Sequence, residues 1–153
     1  MGHLKIIILG HSIGSIVALH YAARAPENVA GLVLFAAGQS ASHIPFVRQR
    51  MLDLAAETRK QGIEYAADLA AKSNFPSDDQ RTIDPAHRKA VRKAVAGSDP
   101  EGYAQMCEAI VSDGHIDPDY SKIVCPAVLL AGDLDVIRKC TCNLFPKHMR
   151  TLF

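Results

Sequence analysis

Leu4-Lys5-Ile6-Ile7-Ile8-Leu9-Gly10-His11-Ser12-Ile13-Gly14 changes its pattern at one residue. Leu4 and the unbroken run Ile6 to Leu9 are apolar and are bounded by Gly10, so Leu4 to Leu9 reads as a short buried strand. A strand apolar on both faces belongs in a parallel sheet covered by helices. From Ile13 the period changes. Ile16, Val17, Leu19, His20 and Ala23 recur near helical spacing, and Pro26 stops that helix soon after Arg24. Gly31 to Phe35 is again apolar without alternation and reads as a second strand. Strand, helix and strand within about 30 residues is the length of one right-handed βαβ unit.

Gly10-His11-Ser12-Ile13-Gly14 matches the pattern G-x-S-x-G. The pattern requires a strand that turns sharply into a helix, with the serine at the apex in a strained conformation and its hydroxyl exposed. Small residues two before and two after allow strand and helix to approach closely. The backbone N–H of Ile13 faces the same spot and can donate to an oxyanion formed after attack by Ser12. The bland alternative is a glycine-rich turn carrying an ordinary serine; the strand before and the helix after favour the elbow.

Beyond Phe35 the chain changes character. The stretch from Gln39 to Ser121 contains no convincing strand. Ile44 to Lys60 reads as an amphipathic helix stopped by Gly62, and Ile63 to Lys72 as a second. Phe75 to Asp84 is polar and turn-rich. Pro85 to Ala96 reads as a third helix with proline in its first turn. Ser98 and Glu101 fit a capping box, with Pro100 opening a fourth helix to about Ser112. Asp117-Pro118-Asp119 is a turn, and a third strand over Ala127 to Ala131 is entered through Cys125-Pro126 and ended by Gly132.

Composition narrows the function classes. Of 153 residues, 48% are apolar, enough for a core and unlike a disordered chain. Seventeen basic and 16 acidic residues, spread along the chain, leave a formal charge of +1. With no basic stripe or acidic block, neither nucleic acid nor an anionic membrane is expected as a partner. No apolar run approaches the roughly 18 residues that span a bilayer. The run after Met1-Gly2-His3 is too short for a signal peptide, Ile6 stands where a myristoylation site wants Ser or Thr, and Thr151-Leu152-Phe153 is no peroxisomal address. A cytoplasmic protein is expected, with Cys107, Cys125, Cys140 and Cys142 as free thiols. Cys140 and Cys142 lie near His148. A structural zinc site wants four ligands at firm spacing, however, and there is no second close pair. Neither metal nor cofactor is expected.

The elbow and its surroundings resemble the α/β-hydrolase superfamily. Arg24-Ala25-Pro26-Glu27-Asn28-Val29-Ala30-Gly31-Leu32-Val33-Leu34 looks like that family's link from nucleophile helix to next strand. Ile123-Val124-Cys125-Pro126-Ala127-Val128-Leu129-Leu130-Ala131-Gly132-Asp133-Leu134-Asp135 looks like its acid-bearing strand and loop. Asp99-Pro100-Glu101-Gly102-Tyr103, followed by Cys107-Glu108-Ala109-Ile110, is similar to the lid region of 3-oxoadipate enol-lactonase-like hydrolases. The general match runs from Leu4 to about Val136, the lid match over a dozen residues. The resemblance implies an α/β fold: a partial α/β-hydrolase sheet of about three parallel strands with a helical lid insertion. Residues 1–38 form the core with the elbow, 39–121 the lid, 122–137 the core strand with the acid loop, and 138–153 a divergent tail.

The resemblance also implies roles. Ser12 is the nucleophile and Asp135, three residues after Gly132, the acid, with Asp133 as nearby substitute; for either Asp a solvated turn is the alternative. Ile13 supplies an oxyanion donor, and His11 and Gln39 contact a small-molecule substrate. His11 can instead pack under the elbow, and Gln39 can be a plain loop residue. The family order is Ser, acid, His. His148 is the downstream candidate, in a context, Phe145-Pro146-Lys147-His148, unlike the family's Gly-His. Of the other histidines, His20 is expected at a buried or rim position, and His43, His87 and His115 on the surface. Arg48 and Arg50 could receive a carboxylate but fit a solvated helix face better. Phe46, Met51 and Leu52 fit a core better than a site lining.

The reaction implied is acyl transfer: hydrolysis of a small ester or lactone through an acyl-enzyme. Alternatives are a catalytically inactive remnant that acts only by binding, and a C–C bond hydrolase or acyltransferase on the same scaffold. In the family, strands precede the elbow strand and a loop there supplies a second oxyanion donor. Leu4 to Leu9 is therefore expected as an exposed, apolar edge through which copies of the chain associate.

Overall fold

The computed structural model describes residues 4–134 and, as a strand, residues 149–152. The chain divides into two compact units, Met1–Gln39 with Ile116–Phe153, and Ser40–His115.

The first unit is a parallel sheet carrying one long helix. Strand β1 (Ile6–His11) leads into helix α1 (Ile13–Arg24), and a single 3-10 turn at Pro26–Asn28 leads into β2 (Val29–Phe35). Strands β3 (Ala127–Leu130) and β4 (Met149–Leu152) complete the order β1-β2-β3-β4, all pairs parallel. Helix α1 is the crossover that a parallel β1–β2 pair requires. Its Ala18, Leu19, Ala22 and Ala23 are buried in one cluster with Val29, Leu32 and Leu34 of β2 and with Ile123, Ala127 and Leu129. Leu19, Leu34 and Ile123 are fully enclosed. Burying each such side chain is worth about 1.5–3 kcal/mol. Small alanines on α1 bring the helix close to the sheet, and the larger leucines fill the space between.

Three expectations need correction here. The first strand starts at Ile6 and runs on through Gly10 to His11, because Gly10 stays in register opposite Leu34. Nor is β1 covered on both faces: Ile7 is 65% and Leu9 69% exposed. Among the described residues β1 pairs only with β2 and lies at one edge of the sheet. The tail contributes a further strand, β4, beside β3. Four residues are too few to show a period, and their partners in β3 lie about 20 residues earlier, so local pattern cannot reveal them.

The second unit is built from α2 (Pro45–Gln61), α3 (Ile63–Ser73), α4 (Pro85–Ala96) and α5 (Pro100–Ile110), with α2 packed on α5 and α3, and α3 on α4. Proline at the first position of α2, α4 and α5 gives up an N–H that has no helical acceptor anyway. Asp84 accepts the Ala86 N–H at 2.8 Å, capping α4. Gly62, at φ 86°, ends α2 in a conformation that side chains avoid. The expected Ser98–Glu101 capping box does not form. Asp99 caps α5 instead, its carboxylate accepting the Gly102 N–H at 2.7 Å.

Glu101 is thereby free for another partner. Its carboxylate takes a fork from Arg59 of α2, with both bonds at 2.8 Å, and the same guanidinium reaches Glu108 one to two turns on. Arg59 and then Gln105 hold the Glu101 carboxyl down at about 2, and Arg59 also lowers Glu108. A carboxyl depressed on folding stabilises the fold above its ordinary value of 4.5, and that contribution fades as pH falls toward about 2. The urea midpoint is therefore expected to drop more steeply between pH 4.5 and 2 in the unsubstituted chain than in Arg59→Met. Parallel pH profiles would contradict the link. Below this fork, Ala55, Ala104 and Cys107 form the small core of the unit, flanked by Met51, Leu54 and Tyr103. Burial pushes the Cys107 thiol up to about 11, so it is an inert packing group. Cys107 and Cys125 are both free and buried, and Cys140 and Cys142 lie outside the described residues.

Candidate active site

Strand register decides what lies near Ser12. His11 pairs with Phe35, and Phe35 with Leu130, so β1, β2 and β3 end level with one another. Two backbone bonds extend this line: Ser12 N–H donates to Phe35 O at 3.0 Å, and Ala36 N–H to Leu130 O at 2.9 Å. Ser12, the loop from Ala36 to Gln39 and the loop from Ala131 to Asp133 thus share the carboxyl edge of the sheet. Ligands of open α/β sheets bind beyond that edge.

Ser12 is exposed and stands between β1 and α1 at φ 51°, ψ −117°. Such a backbone costs a residue with a side chain about 1–3 kcal/mol and persists only where its surroundings dictate it. Three contacts dictate it here. The Phe35 carbonyl holds the Ser12 N–H, and the Ser15 N–H donates to the Ser12 carbonyl at 2.9 Å. Gly10 lets strand and helix meet: a Cβ there would lie 2.7 Å from Gly14 O and from Ser15 Cα. Gly14 plays no such part, since a Cβ on it would meet nothing within 4 Å. Only the first glycine of the pattern is required by the space available.

Ile13 opens α1, and the first N–H groups of a helix have no acceptor within it. Its amide is therefore suited to hold an oxyanion next to the Ser12 hydroxyl. A serine in a positive-φ turn between a parallel strand and a helix, with a helix-opening amide beside it, has the backbone geometry that the pattern G-x-S-x-G requires. The model of the family described as serine aminopeptidase, S33, matches residues 1–141. The chain belongs to this α/β-hydrolase family. No curated protein matches it significantly in sequence.

Solved α/β-hydrolases share the fold at low identity. The enol-lactonase from Burkholderia xenovorans LB400 is 23% identical with a TM-score of 0.74, over 97% of this chain and 56% of that one. A thermophilic esterase from Thermogutta terrifontis is 20% identical with a TM-score of 0.73, over 96% of this chain and 55% of that one. MenH from S. aureus is 22% identical with a TM-score of 0.75, over 97% and 58%. The chain spans a little over half the length of these structures.

The other site candidates fare unevenly. His11 is exposed, which corrects the expectation that it packs under the elbow: it ends β1 on the side away from the buried Gly10. Gln39 is buried, and its Nε2 has no hydrogen-bond partner among the described residues. Asp133 is exposed, three residues beyond the end of β3. Asp135 and His148 lie outside the described residues. Among the described residues no imidazole is hydrogen-bonded to the Ser12 hydroxyl. His43 and His87 are exposed, His20 is half-buried, and half-buried His115 sets Nδ1 3.0 Å from Ile110 O rather than lying on the surface as expected. Arg48 is paired with Asp113 and with the Val111 carbonyl, both at 2.8 Å, within the helical unit. Phe46 is 74% exposed, against the expectation of a core position, whereas Met51 does pack into the helical core.

Ser15, which the sequence pattern does not single out, belongs to the turn at Ser12 together with Gly38 of the loop after β2. Ser15 is completely buried, and Gly38 donates its N–H to the Ser15 hydroxyl at 2.7 Å. A Cβ on Gly38 would lie 2.5 Å from Ile16 Cγ1 and 3.2 Å from Ser12 O. The available signal was spacing: a serine three residues past another in a first helical turn can bond back to its carbonyl.

Proposed function

We propose that this chain carries the nucleophile of a serine hydrolase acting on a small ester or lactone. The observation that carries the reading is the exposed Ser12 at φ 51°, ψ −117°, with the opening amide of α1 beside it. Ser12 Oγ attacks the substrate carbonyl while a histidine takes its proton and Asp135 orients that histidine. The tetrahedral oxyanion settles on the Ile13 N–H, the alkoxide leaves with the proton, and water releases the acyl group by the same steps. His11 and Gln39 contact the substrate, and the helical unit serves as a lid. The esterase and enol-lactonase among the similar structures support the carbonyl class. Cytoplasmic placement fits the absence, among the described residues, of any helix long and apolar enough to cross a membrane.

Hydrolysis of p-nitrophenyl acetate and of a simple lactone by the folded chain tests the reading. Ser12→Ala is expected to return the rate to that of buffer; hydrolysis that survives this change would contradict it. A second reading is a binding protein without catalysis. A folded chain that hydrolyses neither compound would support it. C–C bond cleavage or acyl transfer from the same elbow is separated by product analysis.

Ile6, Ile7 and Leu9 expose apolar surface on a strand with one neighbour among the described residues. Such an edge is a template for pairing, and copies of this chain are proposed to associate through it. Sedimentation should show association that weakens in Ile7→Lys; a monomer at high concentration would contradict it.

A further inference from the structure

Ser15 is fully enclosed, yet its hydroxyl joins two segments of chain. It donates to the Ser12 carbonyl and accepts the Gly38 N–H, the latter at 2.7 Å. A serine that only bonds back to its own helix turn is common and of little consequence. Here the second partner comes from the loop after β2, and Gly38 has no room for a side chain against Ile16 and the Ser12 carbonyl. The loop backbone is thus drawn onto the elbow and fastened there by one hydroxyl.

The carbonyl held in this way belongs to the peptide between Ser12 and Ile13. That peptide is a rigid trans plane, with the Ser12 C=O at one edge and the Ile13 N–H pointing the opposite way. Whatever fixes the carbonyl also aims the amide. A carbonyl that accepts two hydrogen bonds, from the Ser15 N–H and the Ser15 hydroxyl, also polarises its peptide and makes the amide a better donor. We infer that Ser15 is a positioning residue that aims and polarises the Ile13 N–H as oxyanion donor by tying the Ser12 carbonyl to the Gly38 loop. The inference rests on the proposed hydrolase reading for its catalytic consequence, and on geometry alone for the hold on the peptide.

The test separates these two. Amide resonances of Ile13 and Gly38 are followed in the full chain and in Ser15→Ala, Ser15→Cys and Ser15→Thr, alongside the rate of fluorophosphonate labelling at Ser12. Ser15→Ala should shift both amides and open Gly38 to exchange, and Ser15→Thr, which keeps the hydroxyl, should restore both. Labelling should slow about 10- to 100-fold in Ser15→Ala, less than loss of a whole oxyanion donor, and recover in Ser15→Thr. With p-nitrophenyl acetate the loss should fall on the acylation rate and leave KM within about twofold. An unmoved Ile13 amide in folded Ser15→Ala overturns the inference, whatever the activity. A moved amide with unchanged labelling overturns its catalytic consequence. A moved amide in a chain never labelled at Ser12 upholds the hold on the peptide and overturns the hydrolase reading instead. Should Ser15→Ala not fold, Ser15→Cys, of similar size and with a weaker sulfur donor, carries the same comparison.

Discussion

Ser12→Gly is expected to stabilise the chain by about 1 kcal/mol while removing the hydroxyl proposed as nucleophile. The two effects share one cause. At φ 51°, ψ −117° the Cβ of Ser12 sits in a backbone conformation that only glycine adopts freely. Relief of that strain is worth about 1–3 kcal/mol, offset by about 0.5–1 kcal/mol for the extra freedom glycine has when unfolded. Ser12→Ala keeps the Cβ and so keeps the strain, and the exposed hydroxyl it loses has little packing value; its stability should stay within about 0.5 kcal/mol of the unsubstituted chain. Urea midpoints should therefore rank glycine above alanine and serine. Labelling by a serine-directed reagent should vanish in both variants. A glycine variant less stable than the alanine variant would mean that the elbow is not strained.

Gly10→Val is expected to be the most damaging single change in the sheet unit. A Cβ at Gly10 would stand 2.7 Å from Gly14 O, 2.7 Å from Ser15 Cα and 2.8 Å from Ser15 N. All three are backbone atoms, so none can rotate away, and strand and helix must part to admit it. Overpacking of this kind costs about 1–3 kcal/mol and occasionally more, against a total stability of about 5–15 kcal/mol. Valine adds two methyls beyond the Cβ and should exceed the usual range. Gly14→Ala is the control. Nothing lies near its Cβ, and alanine is favoured over glycine in a helix by about 1 kcal/mol, so this variant should be neutral or more stable. Equal losses at Gly10 and Gly14 in urea unfolding would show that close approach of strand and helix does not hold the elbow.

The strand-to-helix switch at Ser12 and the helices after Pro85 and Pro100 were legible because each is written in adjacent residues. A change of period, a proline in the first turn and a glycine at the stop are local signals. Parallel pairing of β1, β2 and β3 was legible through the unbroken apolar runs and the crossover length. What could not be read depends on partners far along the chain. β4 exists by pairing with β3, and four residues carry no period of their own. Asp99 caps α5 because its carboxylate lies beside the Gly102 N–H, and it leaves Glu101 to Arg59, 42 residues away. The roles of Gly10 and Gly14 look identical in the motif and differ only once the packing of Ser15 is known. The Ser15–Gly38 bond spans 23 residues and joins two residue types that carry no special pattern. As the variable residue of the motif, His11 could pack under the elbow or face a substrate, and the alternation of the strand turns it outward.

The central claim is that the Ser12 hydroxyl is made reactive by the fold. Intact-mass analysis and peptide mapping after exposure of the folded chain to a fluorophosphonate measure this directly. One adduct is expected, on Ser12, absent when the chain is unfolded in urea beforehand and absent in Ser12→Ala. An adduct on another residue, or equal labelling of the unfolded chain, would contradict the account.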